Sequence, residues 1–270
     1  LAQYQPEFKQ ILYERKGKNE EVLWLTLNNP KMFNSLTETM QIELIEALEN
    51  AVTDNTIRCI VLTGAGDAAF CSGGDIGLLQ KLNNYEGYDY MYQRGNHIQK
   101  LLTYMDKPVI AAINGHCYAG GMELALCCDY IYASPTAKFG LLEINLGILA
   151  GWGGTIRLPR KIAVNRAKEM IYTGEIINAE EAYRIGLVNK VVPTEELLAA
   201  VEKTVKAITS KPPLAVRAAK TVINDSITCD SIEAAQTIER GMIMWLTNTE
   251  DFKEGTASFL EKRKPEFKGK

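Results

Sequence analysis

The sequence predicts an α/β fold of parallel strands covered by helices, closed by a C-terminal helical region. Three observations predict it. Apolar runs without polar alternation occur at residues 59–63 (CIVLT) and 109–113 (VIAAI), as strands buried on both faces of a parallel sheet require. Helix-period stretches separate such runs, which gives the strand, helix, strand rhythm of α/β proteins. After Gly154 the character changes, and residues 194–262 read almost wholly as helix. The boundary falls between a sheet-based core over residues 1–192 and a helical region over residues 193–270.

In chain order, residues 8–15 and 22–28 read as a hairpin turning at Gly17-Lys18-Asn19, followed by a turn at Asn29-Pro30-Lys31. Ser35 and Glu38 have capping-box spacing, and Met40, Leu44, Ala47, Leu48 and Ala51 follow at helical spacing. Residues 64–76 read as a loop, and the Tyr-rich stretch 85–104 as a helix ended by Lys107-Pro108. A further helix is expected to open near Met122. Beyond Gly154, residues 155–185 read as short helices and residues 188–192 as a short strand. Helix starts are expected at Thr194, at Pro212-Pro213 with Leu214 and Val216 facing inward, at Ser231 and at Thr249.

Composition excludes several function classes. With 46% hydrophobic residues in 270, the chain can bury one large core, and its net charge of −3 lacks the basic footprint of a nucleic-acid binder. No apolar run reaches the ~18 residues of a membrane span, and the first ten residues lack a signal peptide's apolar core. The chain starts at Leu1 rather than Met, consistent with removal of an upstream piece. The expected location is the cytoplasm, or the mitochondrial matrix if that piece was a transit peptide. The six cysteines form no C-x-x-C and only two histidines are present, so no metal site is expected. The thiols read as small buried hydrophobes in a reducing compartment. Lys262-Arg263-Lys264 reads as a solvated basic end.

Two familiar motifs fail on their context. Gly64-x-Gly66-x-x-Ala69 follows a strand but runs into Gly73-Gly74 instead of opening a helix, so it does not read as a nicotinamide site. Ser72, His116 and Asp75 or Asp129 lack the nucleophile elbow of a hydrolase triad.

The stretch over residues 111–154 carries a stronger constellation. Residues 70–76 (FCSGGDI) and Gly120-Gly121 are bare-backbone turns after apolar strands, and N–H groups from two such turns can converge on one oxygen as an oxyanion hole. Two carboxylates accompany them. Glu123 lies in a first helical turn, where the dipole favours the anion. Glu143 lies among Leu141, Leu142 and Ile144, where desolvation favours the neutral acid. Acids whose pKa values are pushed apart serve as base and acid together. On spacing alone a purely structural alternative stands beside this one: Glu123 caps its helix, and Glu143 pairs with an arginine such as Arg157.

These motifs resemble the crotonase (enoyl-CoA hydratase/isomerase) superfamily over nearly the whole chain. The resemblance is carried by Asn29-Pro30-Lys31 with Asn34-Ser35-Leu36, by residues 69–76, and by Asn114-Gly115 with Gly120-Gly121 and Glu123-Leu124. Phe139-Gly140 with Glu143–Gly147, Gly153-Gly154-Thr155 with Arg157-Leu158-Pro159, and the tail Glu254–Arg263 complete it. It implies a crotonase-like spiral of ββα units with a C-terminal helical trimerisation region, associating as a trimer or dimer of trimers. The implied substrate is an acyl-CoA thioester. No cofactor is implied beyond the coenzyme A that the substrate carries, and no metal, nucleic acid or membrane.

The resemblance assigns roles residue by residue. Gly74 and Gly120 hold the thioester oxygen. Glu123 activates the water that attacks C3, Glu143 protonates C2, and Gly151 helps place the water. Lys31, Phe33, Ser72, Asp75, Ile76 and Trp152 line the substrate or its CoA, and Phe259 and Lys262 reach the CoA of a neighbouring subunit. Both acids being present favours an enoyl-CoA hydratase. The alternatives are a double-bond isomerase, a hydratase or hydrolase of a cyclic acyl-CoA, and, more remotely, a non-catalytic CoA- or RNA-binding member. Three departures stand out: Leu142 replaces a usual proline, Ala119 replaces the first of three glycines, and Ala150-Gly151-Trp152 replaces a proline-glycine-alanine run. With Tyr85, Tyr88, Tyr90 and Tyr92, Trp152 is expected to narrow the acyl end.

Overall fold

The computed structural model describes Tyr4 and residues 6–270; the expectation tied to Leu1 lies outside the described residues. Strands β1 (Ile11–Lys16) and β2 (Val22–Leu27) form the expected antiparallel hairpin. Helix α1 (Glu38–Thr53) follows, burying Met40, Leu44, Ala47, Leu48 and Ala51 at the expected spacing. Its N-cap is Thr37, whose Oγ1 accepts from Met40 N at 3.1 Å, so the Ser35/Glu38 capping box is corrected. The reason is tertiary: Leu36 bridges to Gly74, which holds the chain extended just where that box would begin a helix. The last turn of α1 is closed by buried Lys107, whose Nζ donates to the carbonyls of Ala51, Val52 and Asp54.

Next come β3 (Cys59–Gly64) and a short β4 (Ala69–Cys71) inside the stretch read as loop. Helix α2 (Ile76–Leu79) follows, and the stretch read as one helix over 85–104 is α3 (Asn84–Tyr88), a π-helical turn over Asp89–Gln93, and α4 (Arg94–Tyr104). Then β5 (Val109–Ile113), β6 (His116–Tyr118), α5 (Gly120–Leu126), β7 (Tyr130–Ala133) and β8 (Lys138–Gly140) complete the centre. Helices α6 (Gly154–Lys161) and α7 (Val164–Thr173) lead to β9 (Ile177–Asn178), α8 (Ala179–Arg184) and β10 (Lys190–Val191).

The larger sheet has the order β1-β2-β3-β5-β7-β10 and is parallel except for the hairpin; the smaller has the order β4-β6-β8-β9, with β4, β6 and β8 parallel. The pairs β3–β4, β5–β6 and β7–β8 each add one strand to the large sheet, turn a corner, and add one to the small sheet. That is the spiral of ββα units. The large sheet is covered on both faces, which explains its unbroken apolar strands. Leu23, Leu25, Ile60, Leu62 and Ala111 face α1 and the main core. Val22, Trp24, Val61, Ile110 and Tyr132 face Leu197, Val201 and Val205 of α9 (Leu197–Thr209).

Thr194 begins a 3-10 turn (Thr194–Glu196) rather than α9 itself. Helices α10 (Pro213–Ser226), α11 (Ile232–Leu246) and α12 (Glu250–Leu260) complete the C-terminal region, with Ser231 and Thr249 capping as expected. In α10 the inward side chains are Pro213, Ala218 and Lys220, while Leu214 and Val216 are only half-buried. Lys220 Nζ meets Asp129 Oδ2 at 2.9 Å and the Lys107 carbonyl at 2.9 Å, pinning α10 to the sheet core. None of α11 is buried within one chain, and Ile232, Met244 and Trp245 are exposed. No helix among the described residues is long and apolar enough to cross a membrane.

Candidate active site

Strands β4, β6 and β8 run parallel, so the loops leaving their C-terminal ends lie side by side. These loops carry, in turn, Gly74, Gly120 with Glu123, and Glu143. One cavity of 360 Å³ is lined by all four, together with Gly151, Trp152, Ser72 and Ile76.

The two glycines are neighbours: a Cβ built on Gly120 would lie 3.7 Å from Gly74 N and 3.5 Å from Gly73 Cα. Gly120 is the first residue of α5, where an N–H has no intrahelical acceptor. Gly121 lets α5 rest on β4, because a Cβ there would stand 2.2 Å from the Cys71 carbonyl oxygen. Ala119 precedes them at φ 47°, ψ −126°, a region that suits glycine. Such a conformation costs about 1–3 kcal/mol for a non-glycine residue, against ~0.5–1 kcal/mol of extra chain entropy lost by glycine. Ala119→Gly is therefore expected to raise stability by about 1 kcal/mol, read as a higher denaturant midpoint with unchanged slope.

Glu123 is almost fully buried and does not cap its own helix. Its Oε1 instead accepts from Trp152 N and Gly154 N, both at 2.7 Å, at the entrance to α6. Burial pushes its pKa up to about 8; those two N–H donors and Arg157 pull down, and the neighbouring Glu143 adds to the rise. The dipole of α5 and these hydrogen bonds favour the anion, while desolvation, the larger effect, raises the pKa. Burial also raises Glu143, and its Oε2 has no partner among the described residues. Arg157 does not pair with Glu143, since its Nη2 reaches Gln99 Oε1 at 3.4 Å. Neither half of the purely structural alternative survives.

The remaining candidates divide by position. Ser72 N donates to the Phe33 carbonyl at 3.0 Å, so the turn holding Lys31 and Phe33 borders the Gly74 loop. Both residues are exposed and neither lines the cavity. Asp75 caps α2 through Oδ1 on Leu78 N at 3.1 Å. Trp152 lays its indole into the notch above Gly95, where a Cβ would stand 2.3 Å from Nε1. Phe259 and Lys262 are exposed on the C-terminal region, away from this cavity. Phe259 lines a separate apolar groove with Leu214, Leu246, Phe252 and Leu260.

Of Tyr85, Tyr88, Tyr90 and Tyr92, only Tyr90 is buried. It and Met91 line the cavity, while Tyr85, Tyr88 and Tyr92 are exposed. Leu36 of the Asn34-Ser35-Leu36 motif also lines it, as do Leu79 and Leu149, which no motif in the sequence marks. No group of His, Cys, Asp and Glu among the described residues could hold a metal ion.

The enoyl-CoA hydratase/isomerase family model matches residues 17–270. Crotonyl-CoA hydratase of Syntrophomonas wolfei is 43% identical over 250 residues, 93% of this chain and 95% of that protein. (E)-benzylidenesuccinyl-CoA hydratase of Thauera aromatica is 39% identical over 93% of this chain and 97% of its own length. The crystal structure of enoyl-CoA hydratase from Bacillus anthracis superposes with a TM-score of 0.93 at 37% identity, covering 97% of this chain and all of that one. With the spiral of paired strands, the glycine pair and a family match over 254 of its residues, 17 through 270, the chain belongs to the enoyl-CoA hydratase/isomerase family.

Proposed function

We propose that this chain is an enoyl-CoA hydratase, adding water syn across the 2,3 double bond of an enoyl-CoA thioester. The observation that carries the reading is the convergence of Glu123, Glu143, Gly74 and Gly120 on one cavity. The thioester oxygen sits between the N–H groups of Gly74 and Gly120, where negative charge develops as the enolate forms. Glu123 has one carboxylate oxygen committed to two N–H donors, which leaves the other to take a proton from water as its oxygen bonds to C3. Glu143, with an unpartnered oxygen, gives the proton that C2 takes when the enolate collapses. Atoms balance as one water added, and the enzyme is restored when Glu123 releases its proton to solvent and Glu143 takes one up. The Gly151 backbone lies beside Glu123 and helps place that water. Ser72, Asp75 and Ile76 edge the entrance, with Lys31 and Phe33 along the CoA.

The reading needs no group beyond the coenzyme A that the substrate brings. It includes self-association as a trimer or dimer of trimers through the C-terminal region, supported by the exposed apolar face of α11 and the apolar groove around Phe252. Phe259 and Lys262 then face a neighbour's CoA. The compartment is a reducing one, cytoplasm or mitochondrial matrix, in which six free cysteines, five of them buried, stay thiols.

The test is loss of the conjugated enoyl-thioester absorbance on mixing the protein with crotonyl-CoA, with product identified as the 3-hydroxyacyl thioester. A bulkier acyl group is the second reading, favoured by the apolar lining beyond the acids, where Met91, Leu146, Ile148 and Leu149 gather. An aryl enoyl-CoA run beside crotonyl-CoA separates the two. Isomerised or ring-opened product in place of the hydroxyacyl thioester overturns the hydratase reading.

A further inference from the structure

We propose that Tyr90 is a positioning residue for the oxyanion hole, its hydroxyl spliced into the ladder that fixes the Gly74 loop. The proposal rests on Gly74 and Gly120 being the donors to the thioester oxygen. Leu36 and Gly74 form a parallel bridge. Such a bridge has two backbone bonds, one into the residue before Gly74 and one out of the residue after it. The first is present, with Leu36 N donating to Gly73 O at 2.8 Å. Across the second lies the Tyr90 hydroxyl. Asp75 N donates to Tyr90 Oη at 3.0 Å, and the Tyr90 hydroxyl donates in turn to the Leu36 carbonyl. The phenol oxygen thus does what a trapped water does, accepting from one strand and donating to the other.

The consequence falls on Gly74. A glycine has no side chain with which to fix the direction of its N–H. Here the peptide that follows it is tied to residue 36 through the Tyr90 hydroxyl. Tyr90 Oη lies 3.8 Å from where a Gly74 Cβ would stand. The ring is buried, and burial pushes the phenol up to about 12, so it stays protonated and able to donate. The π-helical turn delivers it: its extra residue rotates what precedes it by about 100° relative to an unbroken helix. The same segment serves the other half of the site, because Met91 Cε lies 3.4 Å from where a Gly151 Cβ would stand and Gly95 receives Trp152.

The test compares Tyr90→Phe with Tyr92→Phe, an exposed neighbour whose ring lies tilted against that of Tyr88. Three quantities are read: kcat and KM, the melting temperature, and the infrared carbonyl stretch of a bound isotope-labelled acyl-CoA thioester. Tyr90→Phe is expected to lower kcat by about 10- to 100-fold, less than outright loss of a donor, with KM changed by less than about threefold. The carbonyl band should move back toward its position in water, and Tyr92→Phe should change nothing. A folded Tyr90→Phe protein with kcat within about twofold of the parent, or with an unmoved band, overturns the proposal. Should Tyr90→Phe not fold, 3-fluorotyrosine at position 90 keeps the shape but weakens the acceptor, and an unmoved band then overturns it. A band shifted in the unaltered protein without hydration overturns the reaction and leaves the Tyr90 test intact. No shift in the unaltered protein overturns both.

Discussion

Glu143→Gln is expected to lower kcat by about 10²–10⁴-fold, and Glu123→Gln by a similar factor. Each substitution keeps the shape of the side chain. Gln at 143 has no acidic proton to give C2, and Gln at 123 has no basic oxygen for the water's proton. Folding should survive both. The Oε2 of Glu143 makes no hydrogen bond that an amide would break, and an amide oxygen at 123 can still accept from Trp152 N and Gly154 N. KM should move little, since neither acid holds the CoA. The check is steady-state kinetics on crotonyl-CoA beside a circular dichroism melt. Near-native kcat in either folded variant would falsify the two-acid mechanism. Loss of far more than the sum of the singles is not expected in the double variant, because residues acting as one unit are non-additive.

The second large effect is on stability. The folded-state pKa of Glu123 is pushed up to about 8 from an ordinary value of 4.5, so between those values the folded protein binds more protons than the unfolded chain. Stability is then fully present below about pH 4.5 and is lost as pH rises through about 8. For a group this deeply buried, the change corresponds to on the order of 4 kcal/mol. Glu123→Gln removes the titration. The variant should therefore be the more stable protein at pH 9, by a few kcal/mol, while the two converge near pH 5. Denaturant melts across that range check the sign, and parallel curves for parent and variant would show that Glu123 does not carry the pH dependence. Glu143, also raised by burial, contributes in the same direction.

Much of this was legible in the chain. Unalternating runs at 59–63 and 109–113 announced strands covered on both faces, and the dispersed glycine and acid motifs named the residues that meet in the cavity. What escaped was non-local. Strand β4 has three residues and is paired with β6, more than forty positions away, so nothing local distinguishes it from loop. Ser35 and Thr37 are equally good N-cap residues, and the bridge from Leu36 to Gly74 decided between them. The surroundings of Glu123 come from a loop thirty residues further on, so its helix position suggested an easily ionised carboxyl while burial pushes its pKa up. Four tyrosines within eight residues look alike in sequence. Only the wide turn at Asp89–Gln93 explains why Tyr90 alone turns inward.

The parallel arrangement of β4, β6 and β8 has an evolutionary consequence. In the proposed reaction each short strand hands one task to the segment at its end: carbonyl polarisation after β4, polarisation plus a base after β6, an acid after β8. The tasks are separable because the strands, not the loops, hold the register. A change confined to the β8 loop can move or delete the proton donor and leave enolate formation intact. The frame can therefore acquire a new reaction on the same thioester intermediate without first losing its ability to fold or to activate the carbonyl.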